Sequence, residues 1–198
     1  VAMAATMFVA CTQNEELENA GSNKEMRFNT AVMSTTRATA TTNALFNTFK
    51  LYAYTGTDNV NTIINGETFN KSENAWTPKT DGAIFYWPGE ENVNFYGYSV
   101  ATIDDATFTQ AGTTLSYTTK DDIANQEDLL IAKEAKVKTA DGTVALSFSH
   151  ALTKMSFKIK GEGANTLSYN VSKIEIEAMP TGEYSYADNQ WTASGTAK

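Results

Sequence analysis

Phe46-Asn47-Thr48-Phe49-Lys50-Leu51-Tyr52-Ala53-Tyr54 decides the fold class. From Phe49 onward, Phe49, Leu51 and Ala53 alternate with Lys50, Tyr52 and Tyr54. A period of two places these sets on opposite faces of an extended chain, whereas a helix would need a period near 3.6. The stretch therefore reads as a strand, and Thr55-Gly56-Thr57-Asp58-Asn59 closes it with turn-forming residues.

The same period recurs on both sides. Upstream, Met26, Phe28, Thr30 and Val32 share one face of a strand over 26–32. The run from Ser34 to Asn43 holds small and hydroxyl residues with one long cation, Arg37. Without large apolar groups it reads as an exposed loop or a loosely held strand. Downstream, Asn65-Gly66, Asp81-Gly82 and Asp141-Gly142 carry the code of a two-residue hairpin turn, in which both residues need positive φ. Each lies beside strand-like residues, so antiparallel neighbours are expected there. Val93 to Val100 is a long aromatic strand, and Thr114 to Thr118 a short alternating one. Asp128-Leu129-Leu130-Ile131-Ala132 is apolar on both faces, which suits a central strand or a buried helical turn.

Later, Met155, Phe157 and Ile159 alternate with lysines and Ser156, and Ile174 and Ile176 alternate with charged residues. Both segments are expected to be strands with one wet face. Gly66-Glu67 leading to Trp76, and Gly182-Glu183 leading to Trp191, look like two hairpins of one turn type. Short helical turns are expected only near Asp104-Asp105 and Asp121-Asp122. About ten short strands with polar turns predict an all-β protein, an antiparallel β-sandwich or barrel.

Charge narrows the function. A net charge of −8 would repel phosphates, so nucleic acid is excluded as a partner. The single cysteine, Cys11, leaves no internal disulfide. After Ala10 no apolar run is long enough to span a membrane. The opening Ala2 to Ala10 reads as the remnant of a signal peptide over 1–10, and Phe8-Val9-Ala10-Cys11 resembles the lipobox of bacterial lipoproteins. In that resemblance Cys11 carries the lipid. A lone cysteine at the end of an apolar run would otherwise be a small core residue. Residues 11–25 are polar and acidic and read as a flexible tether; Asn14-Glu15-Glu16 resembles an acidic tag for surface export. Residues 26–198 then form an N-terminal sandwich domain that runs toward the start of a second. Because the sequence opens on Val1 and ends on Lys198 beside a strand-like segment, it is expected to be a fragment of a longer chain.

No catalytic constellation emerges. His150 is the only histidine, with no cysteine nearby for a metal site and no nucleophile at a telling spacing, so it reads as a strand-end or bulge residue. Glu90-Glu91, Asp104-Asp105 and Asp121-Asp122 are adjacent pairs, whose members would face opposite ways on a strand; they read as solvated loop charges or a surface calcium site. The aromatic cluster Phe85, Tyr86, Trp87, Phe95, Tyr96 and Tyr98 could stack on sugars, but alternation sends half of it into the core. No cofactor and no metal are expected. Arg37-Ala38, in a loop between two strands, suits an arginine-specific protease, or is an ordinary exposed Arg. Spacing alone leaves both open.

Taken together, the lipobox Cys11, the acidic tether, Thr36-Arg37-Ala38-Thr39, the strand Phe49 to Tyr54, Glu127 to Ala132 and above all Ser149-His150-Ala151-Leu152-Thr153-Lys154-Met155-Ser156-Phe157 resemble the fimbrillin-like (major and minor fimbrillin, Mfa-like) surface lipoproteins of Bacteroidetes. The resemblance implies a lipoprotein at the outer membrane, held by lipid on Cys11, with two sandwich domains of transthyretin-like topology. It implies a fimbrial subunit, anchor or tip adhesin that meets other fimbrial subunits and a host or glycan ligand, and is not an enzyme. It also implies that an arginine-specific protease cuts after the first strand, at Arg37-Ala38 here, and that a donor strand from another subunit fills the groove left open. A different class remains beside it: a monomeric glycan-binding lipoprotein using exposed Tyr52, Tyr54 and Tyr96.

Overall fold

The structure, a computed structural model, describes residues 24–33, 42, 44–73, 75–89, 91–160 and 170–197. Eleven strands run in chain order: β1 (Arg27–Val32), β2 (Thr48–Thr55), β3 (Asn61–Ser72), β4 (Ala75–Pro78), β5 (Val93–Ser99), β6 (Ala106–Thr109), β7 (Thr114–Thr118), β8 (Leu130–Lys136), β9 (Thr143–His150), β10 (Thr181–Ser185) and β11 (Gln190–Ser194). They form a seven-stranded sheet in the order β1-β9-β8-β5-β2-β3-β4 and a four-stranded sheet in the order β11-β10-β7-β6. The architecture is the expected β-sandwich.

The alternation along β2 explains why two cores form. Phe49, Leu51 and Ala53, all 0% exposed, face a cluster with Ile64, Phe69, Phe95, Leu130, Val144, Leu146 and Phe148. On the other face Tyr54 joins Tyr96, Tyr98 and Ile131, which pack against Leu115, Tyr117 and Tyr184 of the smaller sheet and Tyr186 just beyond β10. β8 is the central strand its apolar faces predicted, with Leu130 in one core and Ile131 in the other. Each large buried apolar side chain contributes roughly 1.5–3 kcal/mol. Buried hydroxyls are mostly satisfied: Tyr98 Oη donates to Ala106 O at 2.9 Å, and Tyr186 Oη to Gly97 O at 2.9 Å. Tyr186 is 1% exposed, and burial holds its phenol well above the usual range.

The paired hairpins are both present. β3 pairs with β4 and β10 with β11, antiparallel, setting Trp76 opposite Lys71 and Trp191 opposite Tyr184. The turns differ, with two residues between Ser72 and Ala75 and four between Ser185 and Gln190, so the shared turn type expected from the sequence is not found; each hairpin still delivers a tryptophan to a core, Trp76 to the first and Trp191 to the second. Short 3-10 turns fall at Ile103–Asp105 and Ile123–Asn125, at the two expected places, and two more, at Thr57–Asn59 and Gln110–Gly112, were not expected.

Four further sequence expectations need correction. Asn65-Gly66 is not a hairpin turn, because β3 runs through it without a break. Its register on β2 jumps from Leu51↔Glu67 to Tyr52↔Asn65, leaving Gly66, at φ 72°, as the extra residue of a bulge. A positive-φ glycine serves a bulge as well as a turn, and the pair code does not separate them. Asp81-Gly82 does turn the chain, but the following residues form only a single bridge, Tyr86 to Glu25. Third, β1 and β9 are parallel, not antiparallel. Fourth, the expected strands around Met155 to Ile159 and Ile174 to Ile176 form no strand among the described residues. Their apolar side chains stand 47–59% exposed. Alternation specifies a face, but a strand also needs a neighbour for its backbone.

Candidate assembly site

β1 lies at the edge of the larger sheet. It pairs in parallel with β9 from Arg27↔Thr143 to Val32↔Phe148. Its alternation turns Arg27, Asn29 and Ala31 outward and Met26, Phe28, Thr30 and Val32 inward. Met26 and Val32 are 5% and 8% exposed. Phe28 is half-buried and enters an aromatic nest, its ring centroid 4.7 Å from Phe69, 6.4 Å from Phe49 and 6.3 Å from Phe95, all edge-on. Such edge-to-face contacts add to area burial, because ring edges are positive and ring faces negative.

The ends of β1 are tied separately. Met26 N donates to Phe85 O at 2.8 Å, Trp87 N to Lys24 O at 2.9 Å and Arg27 N to Gly142 O at 3.0 Å. At the other end Met33 N donates to Phe148 O at 2.8 Å. Trp87, 1% exposed, donates its indole Nε1–H to Gly142 O at 3.1 Å and so holds the turn under the start of β1. Gly142 has φ 79°, and a Cβ there would drive into the Glu25 carbonyl oxygen. That glycine is required twice, for its backbone and for the close approach.

The Asp141 carboxylate locks the same turn. It accepts from Thr143 N at 3.0 Å, Thr143 Oγ1 at 2.8 Å and Thr139 Oγ1 at 3.0 Å. These bonds, led by the Thr143 amide, pull its pKa down to about 2.

Arg37 and Ala38 follow the end of β1 within six residues of Val32, and together with Cys11 they lie outside the described residues. His150 is the last residue of β9, as a strand-end reading requires. Its Nδ1 lies 2.9 Å from Asp128 Oδ2, a partner not anticipated, so the pair clasps the residues before β8 to the end of β9. Among the described residues no three metal-ligating side chains gather. The sugar platform expected on exposed Tyr52, Tyr54 and Tyr96 is not formed: Tyr54 and Tyr96 are 1% and 6% exposed, because the smaller sheet covers that face. Tyr52 stacks on Phe108 with centroids 4.2 Å apart. Of the aromatic cluster, Trp87, Phe95, Tyr96 and Tyr98 are buried and Tyr86 remains exposed. The seat of β1 itself was only half legible: the inward pattern shows in the sequence, the parallel partner does not.

The model of the fimbrillin-like family matches residues 36–198. The chain belongs to that family. Two solved structures share the fold of this fimbrillin-like chain. A candidate cell adhesion protein from Bacteroides ovatus superposes with a TM-score of 0.53 at 15% identity, covering 89% of this chain and 69% of that one. A second, from Bacteroides uniformis, gives 0.52 at 19% identity, covering 88% and 68%. No curated protein matches the chain.

Proposed function

We propose that this chain is a structural subunit, anchor or tip adhesin of a surface fimbrium, with no catalytic role. Its family and the adhesion proteins that share its fold support the reading. In this reading the chain is exported as a lipoprotein with lipid on Cys11, which holds it to the outer membrane. An arginine-specific protease then cuts Arg37-Ala38, β1 leaves with the lipidated tether, and a strand from another fimbrial subunit takes its place. Host or glycan ligands would be met by the assembled fimbrium.

The observation that carries the reading is the setting of β1. It is an edge strand, paired on β9 and seated by Met26, Phe28 and Val32 on the apolar core. Its removal would expose an apolar trench and the unpaired N–H and C=O groups of β9, and strand addition satisfies both. The test is to treat the exported protein with an arginine-specific protease and to read the new N-terminus and the assembly state. The expected result is a terminus at Ala38 and conversion to polymers. Protection of Arg37, or cutting without assembly, would overturn it.

A further inference from the structure

The outer face of the smaller sheet, opposite its tyrosine core, carries one kind of chemistry. Ala106, Leu115, Tyr117 and Tyr184 point inward and are buried, so the alternate positions of β6, β7, β10 and β11 point out. Each of those outward positions is Thr or Ser, apart from Gln190 and Glu183. Register sets them in rows across the strands. Thr107, Ser116, Glu183 and Thr192 form the central row, and Thr118, Thr181 and Ser194 the row beside it. We propose that this face binds an uncharged, hydroxyl-rich polysaccharide chain. The inference rests on the adhesion reading above and names the ligand class and the surface that meets it; it does not require the release of β1.

Charge narrows the partner. Charged residues make up 19% of the chain, yet Glu183 is the only one in these four strands. A face so poor in charge has nothing to pair with a charged partner, and the net charge of −8 around it repels a polyanion. An uncharged partner rich in hydroxyls fits instead. Thr and Ser hydroxyls donate and accept, the Glu183 carboxylate accepts, and the Gln190 amide does both, which matches the mixed donors and acceptors of sugar hydroxyls. Thr118 and Thr181 bond each other at 3.0 Å. The hydroxyls of Thr107, Ser116 and Thr192 have no hydrogen-bond partner among the described residues, so they are open to a ligand. Thr is also stiff at χ1, and less rotamer freedom is lost on binding than with Lys or Glu.

Size argues against a protein on this face. With strands about 4.8 Å apart and a rise of about 3.3 Å per residue, the four short strands present about 300 Å². A stable protein interface takes roughly 800 Å² from each partner. A single extended sugar chain crosses the face along the central row, meeting Thr107, Ser116, Glu183 and Thr192 in turn. Each contact is weak, because it replaces a hydrogen bond to water. Where copies of the chain are arrayed, multivalency raises avidity by roughly 100- to 10,000-fold without any new contact.

The experiment couples the uncut chain densely to beads through Cys11, its only cysteine. Binding of xylan, mannan, galactan and dextran is measured, with polygalacturonate as the anionic probe. A variant combining Thr107→Val, Thr118→Val and Thr192→Val keeps the shape and β-branching of each residue and removes three hydroxyls. Ser116→Lys puts a long cation in the central row, and Thr62→Val in β3 is the control. The three threonines of the combined variant are exposed, so its thermal unfolding is expected to match wild type. Support is binding of at least one neutral polysaccharide by wild type and Thr62→Val, with a loss of tenfold or more in the triple variant and in Ser116→Lys. Equal binding by wild type and the triple variant would overturn this face and leave glycan adhesion standing at another surface. Binding of polygalacturonate alone would overturn the uncharged class. Absence of binding to every polysaccharide would overturn the inference and the glycan ligand together, while the subunit role is decided separately by the cut at Arg37.

Discussion

At the scale of single residues, the turn before β9 governs the seat of β1. Gly142 accepts from Arg27 N and from the Trp87 indole, and it touches the Glu25 carbonyl where a Cβ would sit. Gly142→Ala adds a side chain at positive φ and pushes on that carbonyl, so a loss above about 1 kcal/mol is expected. Chemical denaturation would measure it, and amide exchange at Met26 and Arg27 should rise with it. Asp141 gives the same turn a pH dependence. Its folded pKa, about 2, lies below the unfolded value near 3.9. The stabilisation is therefore complete above about pH 4 and is lost as pH falls through the folded value. Acid titration followed by NMR should show the Thr139 and Thr143 signals shifting between about pH 4 and 2. Asp141→Asn should flatten that response. The Asp-Gly code at 141–142 announced a turn; nothing in it announced that the turn would also be a wall for Glu25, since that contact joins residues 117 positions apart.

At the scale of elements, inward and outward residues of β1 and β2 were legible because a strand's period is fixed by its geometry. Partners were less legible. The β1–β9 pair is parallel and long-range, so no turn residue marks it. The Met155 and Ile174 segments have the alternation of strands and no strand beside them among the described residues, which is why pattern overstated their structure. The two ends of the core also differ in kind. Phe49 is 0% exposed on an interior strand of the larger sheet, whereas Phe28 is half-buried on its edge. Phe49→Ala should cost about 3–5 kcal/mol and lower the stability of the whole sandwich. Phe28→Ala should cost less, at or below about 3 kcal/mol. It should act mainly on β1, seen as faster cutting at Arg37 with little change in the tertiary circular dichroism of the remainder.

For the whole molecule, two cores share the central strands β2, β5 and β8, one lined largely by phenylalanine and one by tyrosine. The sequence showed aromatic residues on both faces of these strands but not what covered the tyrosine face. A sugar platform and a second sheet demand the same residues, and only the packing of β7 and β10 separates them. The family was legible through Ser149-His150-Ala151-Leu152, whose visible role is the clasp of His150 on Asp128. Hydrogen exchange should divide the molecule accordingly. Amides of β2, β5 and β8 should exchange only through global unfolding, while β1 opens earlier, from its outer edge inward. Equal protection of β1 and β5 in exchange followed by mass spectrometry would contradict that order.

The parallel pairing of β1 with β9 also sets a clock on synthesis. Arg27 meets Thr143, so β1 leaves the ribosome 116 residues before the strand that it must join. At roughly 5–20 residues per second, that is a wait on the order of ten seconds, and the loop closed is among the longest that the fold makes. Long-range pairs form late. The first strand made is thus expected to be the last strand docked, and the remaining sheet can fold while that place is still vacant.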